Sequence, residues 1–103
     1  FIDYLKGEGY ELCLQEGAKA TTQAALASLD AWDRWDGRGQ LSEISSPTLI
    51  LWSNKDRSYD LNQQNILNQG IKNSRLEIIK DCAHNSHMEQ PKLVNNSIKQ
   101  FLT

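Results

Sequence analysis

The segment Pro47-Thr-Leu-Ile-Leu-Trp52 runs into Ser53-Asn-Lys-Asp56. Apolar side chains on consecutive residues cannot alternate between core and solvent, so the run suits a strand buried on both faces, as in a parallel sheet. It is also the longest apolar run of the chain, and it is far short of the roughly 20 residues that span a bilayer. No membrane crossing is expected.

Downstream, Asp60 followed by Gln63 has the spacing of a capping box, and Leu61, Ile66, Leu67 and Gly70 outline a helix with a glycine stop. Residues 75–80, with Leu76, Ile78 and Ile79, read as a second strand. After a polar loop, Pro91 suits a first helical position, and Val94, Ile98, Phe101 and Leu102 give the terminal helix over 91–102 one apolar face. Strand, helix, strand, helix predicts an α/β fold: a parallel βαβα unit with a right-handed crossover. Two strands leave both outer edges unpaired, so further sheet partners are expected, or self-association through exposed sheet edges.

Upstream of Gly37-Arg38-Gly39 the pattern changes. Ala20, Ala24, Ala27, Ala31 and Trp35 recur every three or four residues, predicting one amphipathic helix over 18–35 that ends at Gly37 or Gly39. In residues 1–14, Ile2, Leu5, Leu12 and Leu14 are interrupted by Gly7 and Gly9, which predicts a short helix or an irregular piece. Trp32 and Trp35 are expected in packing, with a lining role over a cleft as the alternative.

At 103 residues and 39% hydrophobic, the chain is one domain's worth of ordinary globular protein. Thirteen acidic against eleven basic residues give a net charge of −2 without a basic stripe, which argues against nucleic acid as a partner. Cys13 and Cys82 are too few for a disulfide framework, so reduced thiols and the cytoplasm are expected. Phe1 opens the sequence with no Met and no leader-like segment, which suggests a piece of a longer chain.

Asp56 and His84 each follow a predicted strand, at the carboxyl edge where open α/β sheets place their ligands. Taken alone, Asp56 is a capping or turn aspartate and His84 a loop histidine. Cys82, His84, His87 and Glu89 contain zinc-binding residue types, but four within eight residues do not match the usual two-plus-two spacing. No metal and no cofactor is expected. A Cys82–His84 nucleophile pair is conceivable, although neighbouring loop positions rarely aim at each other.

Leu41-Ser-Glu-Ile44-Ser-Ser-Pro47-Thr-Leu-Ile-Leu-Trp-Ser53-Asn-Lys-Asp56, then Asp81-Cys-Ala-His84-Asn-Ser-His87-Met-Glu89-Gln-Pro91 and a closing Phe101-Leu102, resemble the last third of α/β-hydrolase fold enzymes. The resemblance implies a partial α/β-hydrolase, with residues 1–40 as a cap-like helical segment and 41–103 as the C-terminal βαβα part of the catalytic domain. It also implies that Asp56 is the acid and His84 the base of a Ser-His-Asp triad, in the order acid then histidine. His87 and Glu89 would orient the loop. Ser53 and Asp81 stand where the family usually has glycine, and Tyr59 near where it often has proline. Asp81, three residues before His84, is thereby a rival partner for the ring.

Neither Gly-x-Ser-x-Gly nor an HGGG-type oxyanion loop occurs in the chain. The reading is therefore the C-terminal part of a serine hydrolase acting on an ester or carbon–carbon bond of a small acyl substrate, with its nucleophile elsewhere. Asp81 to Pro91 resembles most the branch containing menaquinone-pathway synthases and meta-cleavage-product hydrolases. The alternative is a non-catalytic module that reuses the βαβα unit for binding or assembly.

Overall fold

The computed structural model describes residues 5–103. The element order is α1 (Glu8–Gly17), α2 (Thr22–Arg34), a 3-10 helix (Arg38–Glu43), β1 (Thr48–Ser53), α3 (Leu61–Gly70), β2 (Ser74–Ile79), α4 (Ser86–Glu89) and α5 (Pro91–Leu102). The strands pair in parallel, with Thr48 opposite Ser74 and Ser53 opposite Ile79. The expected βαβα unit is present, and the loop between β2 and α5 holds the short additional helix α4.

Local chemistry sets the ends of α3 and α5. Asp60 accepts the N–H of Gln63 while Gln63 Oε1 accepts the N–H of Asp60, each at 2.9 Å, which closes the predicted capping box. Pro91 opens α5, where a missing N–H costs no helical bond. Gly70 ends α3 for a different reason from the one expected. Gly7 carries the only positive φ found at a glycine among the described residues, so Gly70 is no left-handed cap. A Cβ there would lie 2.6 Å from Leu41 Cδ1 and 2.8 Å from Leu41 Cβ, so the glycine makes room for the 3-10 helix.

Alternate strand residues face opposite sides, and α3 and α5 each pack on both strands. Ser74 Oγ donates to the Asn68 carbonyl of α3 at 3.0 Å, while Ile79, Cys82 and Val94 of α5 form the core cluster with Leu51 against it. The expectation that β1 is buried on both faces holds only in part. Ile50 and Ser53 are buried, but Leu49, Leu51 and Trp52 are half-buried, because β2 is the one strand paired with β1 among the described residues.

The N-terminal helices depart further from expectation. The predicted 18–35 helix begins at Thr22, because Thr21 Oγ1 accepts the Ala24 N–H at 3.1 Å and caps it there. It ends when Trp35 turns extended, ahead of both glycines. Helix α1 runs through Gly9, whose missing Cβ leaves room for Met88, 3.3 Å from where that atom would lie. Ile2 of the predicted 1–14 pattern lies outside the described residues. Every residue of α2 is exposed, including Trp32 at 60% and Trp35 beside it at 75%, so neither tryptophan sits in a core. The radius of gyration is 15.6 Å, against about 13 Å for a compact domain of this length.

Candidate active site

Parallel strands deliver their following loops to one edge, and that geometry brings together two residues 28 positions apart. Asp56 lies at the turn after β1, its N–H donating to the Ser53 carbonyl at 3.0 Å. His84 lies after β2, beyond a turn in which Asp81 adopts φ +58. His84 Nδ1 is 3.0 Å from Asp56 Oδ2.

The two oxygens of Asp56 have separate duties. Oδ1 accepts the N–H groups of Ser58 (2.8 Å) and Tyr59 (3.3 Å), so the aspartate builds its own turn. Oδ2 is thereby aimed at the histidine. One oxygen of Asp56 thus makes the turn while the other faces His84. Asp56 is only 8% exposed and His84 32%, so the pair is largely shielded on the carboxylate side. Burial pushes the Asp56 carboxyl up, but the bonds from His84, Ser58 and Tyr59 outweigh it and hold the group below its ordinary 3.8. An ionised carboxylate can only accept, so the Nδ1 facing it carries the proton.

The surroundings fix both loops. Trp52 Nε1–H donates to the Tyr59 carbonyl at 2.9 Å, and the Tyr59 and His84 rings lie 5.7 Å apart at 30°. Both oxygens of Glu89 accept the Ala83 N–H, at 3.0 and 3.1 Å, so Glu89 holds the loop one residue before His84. His87 is exposed. Asp81, the rival for His84, pairs with Lys55 at 3.2 Å, and its positive φ explains why a glycine suits that position.

The other chemistries do not assemble. Cys82 is buried, and burial pushes its thiol up, the Glu89 and Asp81 carboxylates acting the same way against the opposing hydrogen bond from Ser53. A protonated buried thiol is a poor nucleophile. Among the described residues no three of His, Cys, Asp and Glu group as metal ligands. Likewise no described helix is long and apolar enough to cross a membrane.

Asp56 and His84 open into a cleft of about 210 Å³ that Leu51, Trp52, Ser53 and Tyr59 also line. A second cleft, of about 560 Å³, lies between Leu29, Trp32 and Trp35 of the N-terminal region and Tyr59 and Gln63. Tyr59 is common to both, so the cleft that the tryptophans line adjoins the one that holds Asp56 and His84. Sequence reasoning did not find the support from Trp52 and Tyr59, nor that from Asn54, whose Oδ1 accepts the Asp81 N–H at 2.8 Å. The Asp-x-Ser order at 56–58 is an Asx-turn signal that pointed to the first part of it, whereas nothing local pointed to Asn54.

The chain was compared with known proteins. It is 32% identical over 69 residues to monoacylglycerol lipase ABHD6 of Mus musculus, covering 67% of this chain and 20% of that one. It is 38% identical over 63 residues to a 2-hydroxy-6-oxononadienedioate/2-hydroxy-6-oxononatrienedioate hydrolase of Klebsiella pneumoniae, covering 61% and 22%. The chain thus spans about a fifth of the length of these curated relatives. Among solved structures, MGS-MChE2, an alpha/beta hydrolase from the metagenome of lagoon sediments of Mar Chica, aligns with a TM-score of 0.71 at 22% identity, over 76% of this chain and 36% of that one. A predicted CIB-like hydrolase of Thermoplasma acidophilum aligns with a TM-score of 0.61 at 28% identity, over 63% and 31%. A family model described as the alpha/beta hydrolase fold matches residues 13–91, strands, acid loop and histidine loop included, and the chain belongs to that family.

Proposed function

We propose that this chain supplies the acid and the base of a Ser-His-Asp hydrolase, with the serine nucleophile and the oxyanion donors coming from sequence outside it. The observation that carries this is the Asp56 Oδ2 to His84 Nδ1 pair, at the carboxyl edge of two parallel strands. Asp56 fixes the tautomer and steadies the imidazolium. His84, acting through Nε2, takes the proton of a serine hydroxyl and returns it to the leaving group. The bond cleaved is an ester or carbon–carbon bond of a small acyl substrate. One relative is named for monoacylglycerol and another for a 2-hydroxy-6-oxo dienedioate, which supports hydrolysis without choosing between them. Cys13 and Cys82 are both free thiols, in keeping with the cytoplasm as the proposed compartment.

The test uses p-nitrophenyl acetate with two proteins: the 103-residue chain, and the same chain joined to the sequence encoded upstream of it. The chain alone should show no turnover above background. The longer protein should turn over, and in it Asp56→Asn should lower kcat by roughly 10⁴ and His84→Ala by roughly 10⁶. Robust turnover by the short chain would identify a nucleophile other than the one proposed. An inactive longer protein would favour the binding-module reading.

A further inference from the structure

The Asp56–His84 pair joins two loops that could each move independently at the open end of a two-stranded sheet, so something must hold their separation. Backbone pairing continues past the strands, with the Asn54 N–H on the Ile79 carbonyl at 3.1 Å and the Lys55 N–H on the Cys82 carbonyl at 3.0 Å. These bonds bring the loops together but leave residue 81 in a left-handed conformation that a residue with a Cβ disfavours. One side chain reaches across to that residue: Asn54 Oδ1 accepts the Asp81 N–H at 2.8 Å, spanning 27 positions of sequence. Of the other cross-loop side-chain contacts, the Tyr59–His84 ring contact at 5.7 Å reaches His84 and not the turn at residue 81, and the Lys55–Asp81 ion pair joins two exposed groups, which hold geometry weakly. Glu89 grips Ala83 from α4 and not from the acid loop.

We infer that Asn54 is a positioning residue for the acid–histidine pair, its side-chain amide oxygen clamping the Asp81 turn so that His84 emerges facing Asp56. The inference rests on the proposed hydrolase reading, because it assigns a purpose to the pair that reading uses. The chemistry required at position 54 is an acceptor two bonds beyond Cβ. Aspartate preserves it and alanine does not.

The test is nitrogen-15 NMR on the 103-residue chain, following the His84 Nδ1–H resonance that a bond to a carboxylate slows in exchange and moves downfield of the amides. Asp56→Ala removes the acceptor and sets the reference for a lost pair. Asn54→Ala should lose the resonance as Asp56→Ala does, and Asn54→Asp should keep it. Retention in Asn54→Ala overturns the inference and leaves the pair standing. Loss in both Asn54 variants also overturns it, because the effect would then not depend on an acceptor. A wild-type chain without the resonance, or one that keeps it in Asp56→Ala, overturns the pair itself and the inference with it. Should Asn54→Ala fail to fold, the wild-type chain decides: the Asp81 amide should exchange with solvent about fivefold to tenfold slower than an unprotected amide. Exchange at the unprotected rate overturns the clamp.

Discussion

Helix α2 and helix α5 have comparable sequence patterns and opposite fates. Both repeat apolar residues on one face, yet α5 buries Val94 against Ile79 and Cys82, whereas α2 buries nothing and leaves Leu26, Leu29, Trp32 and Trp35 exposed. The difference is the sheet. Two hydrogen-bonded strands offer α5 an apolar surface that already exists, while α2 borders Tyr59 of the acid loop and Gln63 of α3 across an open cleft and buries no residue there. Amphipathic periodicity states that a face is available for burial, and a partner surface decides whether burial occurs.

The comparison breaks most decisively in the core. Ile79→Ala should destabilise by about 2 to 5 kcal/mol in urea unfolding. A cost below 1 kcal/mol would mean that the sheet-side cluster is no better packed than α2. Where the sheet unit meets the segment before it, Gly70→Ala forces a Cβ against Leu41, whose own Cβ cannot swing away. A loss of about 1 to 3 kcal/mol is expected, and an unchanged midpoint would show that the 3-10 helix is free to shift. Removing the carboxylate with Glu89→Ala orphans a buried Ala83 N–H, again at about 1 to 3 kcal/mol.

The acid–histidine pair sharpens the contrast through pH. Asp56 has a folded-state pKa depressed below its ordinary 3.8, so the stability it contributes is fully present above that value and lost as pH falls through the folded-state pKa. Unfolding free energies of wild type and Asp56→Ala should therefore converge as the pH falls below the ordinary 3.8 and through the lower folded-state pKa. A difference that stays constant there would mean that the carboxylate is not stabilised by its partners.

The smallest expected effect is on α2 itself. Leu29→Ala should alter stability by less than about 0.5 kcal/mol, since exposed positions without special contacts seldom matter more. Unpaired strand edges should make the isolated chain self-associate, measured by light scattering, and a monomer at high concentration would contradict that expectation.

Much of the sheet unit was legible because its signals are local. A proline-bounded apolar run, the Asp60–Gln63 spacing and Pro91 each act within a few residues, so β1, α3 and α5 could be placed from the sequence. The start of α2 was missed because a residue pattern weighs faces, while Thr21 stops the helix with a single side-chain bond. The roles of Gly70 and Asn54 were not legible either, since each depends on a residue far along the chain.

By itself the sequence determined the β1-α3-β2-α5 order of the sheet unit, the acid and histidine candidates, and their place after parallel strands. The elements and the placement follow from periodicity, capping and the fact that parallel strands send their following loops to the same edge, whereas the acid and histidine roles were implied by the resemblance to α/β-hydrolases. Only the tertiary structure decided that Asp56 divides its oxygens between its own turn and His84, that Asp81 turns to Lys55, and that Asn54 reaches across the loops. The physical reason is that a hydrogen bond is settled within tenths of an ångström, by backbone positions that only the paired strands and packed helices fix.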